Sequence, residues 1–241
     1  MHFGVAYYPE HWPEERWAVD ARMMQEAGVN AVRMGEFAWS AVEPREGEYR
    51  FEWLDRAIAL LAEHGVRTLL CTMSRTPPPW VFRRYPEVLN VGPEGIRNPP
   101  GRRYTVAQAH PEFRRLSEQI DRAVIERYAA NDAVVAWQID NEIGQGTDCY
   151  CDLCRDAFQQ YLREKYGSIE RLHEAWGAHF WSFAFADFDE VHVPPPHGGS
   201  PQLVLEYRRF LSRLSEDFAR WRYDLIKGLC PDKWVTTNFQ S

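Results

Sequence analysis

Excess positive charge is missing from this chain: 28 lysines and arginines stand against 35 acids, a net charge of −7 with a pI near 5.7. A face that binds a polyanion needs clustered cations to repay the phosphate contacts, so nucleic acid is a poor partner. Long hydrophobic runs are also missing. None approaches the roughly 20 residues of a membrane-spanning helix. Met1 to Val5 lead directly into a strand-like run, with neither a basic segment nor an apolar leader ahead of it, and the expectation is a cytoplasmic protein. There is no short repeat and no low-complexity linker, so a second domain is not expected. Cysteines are few and badly spread for a disulfide scaffold: Cys71, Cys149, Cys151, Cys154 and Cys230, with three of them inside six residues. What the sequence has in quantity is apolar and aromatic side chains. At 241 residues, 45% hydrophobic and with ten tryptophans and eleven tyrosines, it can bury a large core. Those aromatics serve either that core or as stacking planes for sugar rings.

Along the chain, strand follows helix follows strand. Phe3 to Tyr8 is a short apolar run. Pro13-Glu14-Glu15 opens a helix with proline first and acids in the first turn, and Trp17, Ala21, Met24 and Ala27 recur at helical spacing up to Gly28. Asn30 to Met34 is a second strand, followed by a helix from about Glu52 that carries Leu54, Ile58 and Leu61 and stops at Gly65. Val66 to Met73 is a third, of the kind buried on both faces. Thr76-Pro77-Pro78-Pro79-Trp80 then reads as a rigid loop, and an irregular stretch runs through Arg103. Leu116, Ile120, Val124 and Tyr128 align on a helix before the fourth strand, Val134 to Ile139. Helices are expected over Asp152 to Tyr166 and Ile169 to Trp176, with a Pro/Gly loop around Val193 to Gly199. A long helix carrying Val204, Tyr207, Leu211, Leu214, Phe218, Trp221 and Leu225 precedes a fifth strand, Trp234 to Phe239. The glutamate and arginine pairs over 201–228 read as a solvated face.

Alternating strands and helices with buried-type strands imply a parallel α/β fold. No glycine-rich dinucleotide loop follows the first strand, which disfavours a doubly wound nucleotide binder. The architecture expected is an α/β (β/α)8 TIM-barrel type, incomplete, with about the first five of eight strands present. Such barrels do their chemistry at the C-terminal ends of the strands. The fourth strand is the most informative. Trp137-Gln138-Ile139-Asp140-Asn141-Glu142 sets an amide beside a carboxylate where an apolar strand opens into a loop with Gly144 and Gly146. An apolar neighbourhood suits such a carboxylate to general-acid work, and the amide can bond a hydroxyl next to a scissile bond; the bland alternative is an Asn-Glu pair capping a loop. The run Cys149-Tyr150-Cys151-Asp152-Leu153-Cys154 at a loop-to-helix junction can wrap three thiolates around one face of a tetrahedral zinc, or can simply be three reduced thiols. Cys71, inside the third strand, reads as a small buried hydrophobe. His11 reads as a structural histidine and His197 as a solvated one.

The stretches Tyr7-Tyr8-Pro9-Glu10-His11-Trp12-Pro13, Val32 to Ser40, Thr76 to Trp80, Trp137 to Glu142, and Trp176-Gly177 through Phe180-Trp181-Ser182 occur in one order along the chain. In these the sequence resembles glycoside hydrolase family 42, the retaining β-galactosidases, over nearly its whole length. The resemblance implies that residues 1–241 are the N-terminal portion of a glycosidase barrel. It implies Glu142 as acid/base, Asn141 as a galactose ligand, Arg102 in Gly101-Arg102-Arg103-Tyr104 as a sugar-binding arginine, and Trp181 as a wall of the sugar subsite. The family's nucleophile lies on a seventh strand, beyond the five seen here. Glu36 ends the second strand but is expected to bond Arg33 rather than attack the sugar. The resemblance also implies a zinc held by Cys149, Cys151, Cys154 and a fourth cysteine, structural because the chemistry needs no metal. Val106 and Ala107 occupy the place of that fourth cysteine, with His110 nearby as a stand-in. Trimers are common in the family.

Three readings follow: an incomplete β-galactosidase catalytic domain, a catalytically silent galactoside-binding fragment, and a half-enzyme completed by a second polypeptide. The first is preferred.

Overall fold

A computed structural model describes residues 1–144, 146 and 148–239, Trp181 by its backbone alone. Five parallel strands form one sheet in chain order: β1 (Gly4–Ala6), β2 (Ala31–Met34), β3 (Arg67–Cys71), β4 (Val134–Gln138) and β5 (Trp234–Thr236). Each strand pairs with its successor, as in Val32↔Thr68 and Cys71↔Gln138. This order is that of a β/α barrel, because a doubly wound sheet reverses direction part-way. The five strands begin and end close to the expected positions but pair over fewer residues.

Eight α-helices are described: α1 (Glu14–Glu26), α2 (Trp39–Val42), α3 (Glu52–Glu63), α4 (Pro79–Arg84), α5 (Pro111–Tyr128), α6 (Asp152–Tyr166), α7 (Ile169–Trp176) and α8 (Pro201–Leu229). The α3 helix buries Leu54, Ala57, Ile58 and Leu61, the three-four spacing of one apolar stripe. Gly65 follows it at φ +76°, and the Val66 N–H reaches back to the Leu61 carbonyl at 2.9 Å. That six-to-one closure needs a left-handed residue, which glycine supplies without strain. The rigid loop expected over Thr76 to Trp80 is corrected in its second half, since α4 begins at Pro79. Pro78 is extended and Pro79 takes the first helical position, where its fixed φ suits the helix and its missing N–H costs nothing.

By contacts the chain divides into two compact units. The first comprises residues 1–86, 115–143 and 218–241 and holds the sheet. Its central strands are well covered, with Val32, Met34, Thr68, Leu70, Cys71 and Trp137 buried. Its edge strands are not: all of β1 is exposed, and Trp234 of β5 is 70% exposed. The sheet is curved enough that the His2 and Trp234 rings meet edge to face at 6.2 Å.

The second unit comprises residues 87–114 and 144–217. Phe158 and Leu162 of α6, Leu172 and Trp176 of α7, and Tyr207 and Phe210 of α8 form its core. The Phe158 and Tyr207 rings meet edge to face with centroids 5.0 Å apart. Gln159 donates to the carbonyls of Asp189 and Val191, so the chain beyond α7 is tied back to α6.

The α8 helix corrects a second expectation. Its charged residues are not all solvated: Glu206 is 2% exposed and Arg222 1%. Glu206 is held by Lys165 at 2.6 Å, Arg209 at 2.7 Å and the Tyr166 hydroxyl at 2.7 Å. Arg222 lies over the Phe218 ring, 3.9 Å from its centroid, and bonds buried acids. Both were read as surface residues because a helical pattern of charges gives no sign of the partners that make burial affordable.

Candidate active site

The loop leaving β4 is made of two residues in left-handed conformation around a third. Asp140 has φ +56° and Glu142 φ +52°, with Asn141 between them. Non-glycine residues occupy this region at a cost of about 1 kcal/mol or more each, so the surroundings must enforce it. Asp140 donates its backbone N–H to the Thr72 hydroxyl at 2.8 Å and takes the Asn141 N–H on Oδ1 at 3.0 Å. Glu142 donates its N–H to Asn238 Oδ1 at 3.3 Å, while Arg75 donates to its carbonyl at 3.2 Å.

The Asn141 side chain is buried, and its Oδ1 accepts from Arg33 at 3.2 Å and from Asn238 Nδ2 at 3.2 Å. Two donors on one oxygen decide the orientation of the amide: its carbonyl end turns inward toward Arg33 and Asn238. Asn238 is fixed in turn by Gln138, whose Nε2 donates to it at 2.9 Å. Glu142 is half-buried beside this arrangement.

Glu36 is fully buried. Its Oε1 takes the Arg33 guanidinium at 2.5 Å and the Tyr8 hydroxyl at 2.8 Å. This is the arginine partnership expected for it. The same carboxylate, with burial as the larger cause, pushes the Cys71 thiol well above its ordinary range. Cys71 is therefore a neutral, buried side chain. His11 is exposed and its ring stacks on Tyr8 with centroids 5.4 Å apart, and His197 is exposed.

Strand ends that converge on an amide-carboxylate pair fit a glycosidase barrel, and comparison with known proteins decides the family. The profile of the glycoside hydrolase 42 family, β-galactosidase, matches residues 6–241. The chain belongs to glycoside hydrolase family 42. It is 44% identical over 240 residues to a β-galactosidase of Thermus thermophilus, covering 98% of this chain and 37% of that protein. It is 42% identical over 243 residues to a β-galactosidase of Halorubrum lacusprofundi, covering 99% of this chain and 35% of the relative. Among solved structures, the β-galactosidase from that haloarchaeon superposes with a TM-score of 0.95 at 42% identity, over 99% of this chain and 36% of the other. The enzyme from Bacillus circulans sp. alkalophilus gives 0.94 at 32% identity, over 100% and 36%. The chain thus spans just over a third of the length of these family 42 relatives.

Of the site residues expected from sequence, the structure brings Asn141 and Glu142 together with Arg33, Glu36 and Asn238 in the first unit. Arg102 belongs to the second unit and is exposed, and its carbonyl accepts from the Thr105 hydroxyl at 3.4 Å. Trp181 falls in a short 3-10 turn, Phe180–Ser182, and its side chain lies outside the described residues. Sequence reasoning passed over Arg75, Asp121 and Arg222, three buried charged residues around Asp140. Their only signal was the presence of charges on otherwise apolar elements.

The cysteine cluster of the family 42 chain also lies in the second unit. The sulfurs of Cys149, Cys151 and Cys154 all lie within 4.8 Å of one another, a group that could hold a metal ion. Cys151 is the N-cap of α6. Its thiol is held below the ordinary range by hydrogen bonds from Cys149 and Cys154 and by the N–H groups of Cys154 and Leu153. Cys149 accepts the Val91 N–H at 3.4 Å. These are the donor set and the outer hydrogen bond that a thiolate metal site requires. Ala107 packs against Cys149 and Cys154. His110 is buried, which lowers its pKa, and its Nδ1 accepts the Glu112 N–H at 3.2 Å. Among the described residues the group contains the three cysteines alone.

Proposed function

We propose that residues 1–241 form the N-terminal part of the catalytic barrel of a retaining β-galactosidase, with Glu142 as acid/base. The observation that carries this is the Asn141-Glu142 pair at the β4 mouth, its amide oriented by Arg33 and Asn238. In this reading Glu142 protonates the glycosidic oxygen as the bond to the leaving group breaks. A second carboxylate, supplied from outside this chain, attacks the anomeric carbon from a distance of about 5–5.5 Å between the carboxyl groups. Glu142 then takes a proton from the water that releases galactose. The Asn141 amide donates to the hydroxyl beside the scissile bond, where the interaction strengthens as charge develops.

Family resemblance makes Arg102 and Trp181 sugar-binding residues, and the substrate is a terminal β-D-galactoside. Glu36 is read as the hydrogen-bond partner of Arg33 rather than as the nucleophile. The three cysteines hold a structural zinc, with water or His110 as fourth ligand. The free thiols fit a reducing compartment, the cytoplasm, and no helix among the described residues is long and apolar enough to cross a membrane. A trimeric assembly follows from resemblance alone.

A second reading is galactoside binding without turnover, for which the Asn141 side chain held by Arg33 and Asn238 would suffice. Hydrolysis of a nitrophenyl β-D-galactoside by wild type and Glu142→Gln, with folding followed by circular dichroism, separates the two. Turnover that Glu142→Gln abolishes supports the enzyme reading. A folded wild-type chain that binds galactoside and turns none over supports the fragment, and turnover indifferent to Glu142→Gln defeats the assignment of the acid/base.

A further inference from the structure

Behind the Asn141-Glu142 pair lies a group of charges that the proposed reaction does not use. Arg222, 1% exposed, reaches forward from α8 between two carboxylates. Its Nε donates to Asp121 Oδ2 at 2.9 Å and its Nη1 to Asp140 Oδ2 at 3.4 Å, while Nη2 bonds the Ser74 hydroxyl. Asp121 is fully buried on α5 and also takes the Met73 N–H at 3.0 Å, which ties it to the end of β3. Arg75, 3% exposed, approaches the other oxygen of Asp140 at 3.7 Å. Two cations and two anions thus balance in a space closed to water.

Arg222 and Arg75 both reach the Asp140 carboxylate, and Asp140 leads to the acid/base. Its Oδ1 takes the Asn141 N–H, and Arg75 bridges from the Asp140 carboxylate to the Glu142 carbonyl. Asp140 and Glu142 both stand in the left-handed region, which persists only where the surroundings over-determine it. Short polar side chains tolerate this conformation; a glutamate does so much less. Something must hold the Asp140 carboxylate rigidly for Glu142 to keep its backbone turned. A planar guanidinium can serve Asp121, Asp140 and Ser74 at once while stacking on Phe218, and a lysine ammonium cannot.

We propose that Arg222 is a positioning residue for the acid/base Glu142, acting through Asp140, with Asp121 as its anchor. The proposal rests on the β-galactosidase reading for what the positioned group does, but the positioning is a property of the chain. A misplaced acid delays protonation of the leaving group. Arg222 therefore matters most where the leaving group is poor, and little where it departs without help.

The test uses Arg222→Lys and, because a lone lysine can fail to fold there, the charge-balanced pair Asp121→Asn with Arg222→Met. Amide hydrogen exchange is measured on the folded chain. Exchange at residues 140–142 is expected to accelerate by about tenfold or more, with β2 unchanged. Unchanged exchange at 140–142 in either folded variant overturns the proposal. The second arm measures kcat/KM on an alkyl and on a dinitrophenyl β-galactoside. It uses the chain alone if it turns over, or the chain joined to the C-terminal two-thirds of the Thermus relative. The loss on the alkyl substrate is expected to exceed that on the dinitrophenyl substrate by about tenfold, within the range that general acids contribute. Equal losses on both substrates would mean a structural role and also overturn the proposal. If the wild type turns over neither substrate, the β-galactosidase reading fails and the exchange arm still decides the positioning.

Discussion

Trp39 offers a direct measure of how the loops around the site are held. Its indole is fully buried and donates to Glu43 Oε2 at 2.6 Å. The Gly47 N–H donates to the other oxygen at 2.7 Å, and Trp80 donates to the Glu43 carbonyl at 2.9 Å while meeting Trp39 edge to face at 6.3 Å. Trp39→Phe removes one donor from a carboxylate that is 3% exposed. The lost charge-assisted hydrogen bond costs about 2 kcal/mol. The smaller ring leaves a gap worth about 1 kcal/mol. The expected total of about 3 kcal/mol corresponds to a fall in Tm of roughly 6–12 °C for a chain of this size. The assay is a double-mutant cycle with Glu43→Gln, read by urea unfolding. Because the two side chains share one bond, the double variant should be more stable than the sum of the singles predicts by about 1–2 kcal/mol. The pH dependence adds a second check. Burial raises the Glu43 pKa, and the Gly47 and Trp39 donors partly offset it. A folded pKa above the unfolded one means the buried carboxylate costs stability as pH rises through that interval. Removing Trp39 raises the folded value further, so the Trp39→Phe penalty should shrink on acidification and be complete near neutrality. Additivity of the two substitutions within about 0.5 kcal/mol would refute the reasoning.

Glu206 carries the opposite sign. Burial raises its pKa, but hydrogen bonds from Arg209, Lys165 and Tyr166 outweigh this, and the net shift is downward. Its contribution is present above the unfolded pKa and lost as pH falls through the folded one. Glu206→Gln should therefore cost about 2 kcal/mol in urea unfolding at pH 7, a difference that closes in strong acid; a gap that persists there contradicts the pairing. For the cysteine cluster, the purified chain is expected to retain one zinc per molecule by elemental analysis. Cys154→Ser should lose it, and chelation should lower the Tm of the wild type but not of that variant. Metal content near zero in both would leave three reduced thiols.

Much of this chain was legible in its residues because the signals are local. Apolar spacing marks α3 and α5, glycine after a helix marks Gly65, and strand-helix alternation with buried-type strands implies the parallel sheet found here. The Asn141-Glu142 pair was visible for the same reason: it directly follows a strand, and a strand end in such a barrel faces the site. What escaped depends on residues far apart in the chain. Arg222 and Asp121 are separated by 101 positions, and Arg33 and Asn141 by 108. No pattern within either element reports that the other will be there.

Helical charges look alike whether they meet water or a buried partner, so Glu206 and Arg222 were read as surface. Likewise, three prolines exclude a paired strand but do not decide where α4 begins. The sequence by itself determined the five strands, the longer helices, their order and which amide and carboxylate stand at the β4 mouth, because periodicity and turn chemistry act over a few residues. Only the tertiary structure decided how that pair is held: which way the Asn141 amide faces, and that a buried arginine stands behind Asp140. Burial in a water-poor space makes those long-range partners obligatory, and that condition exists only once the chain has folded.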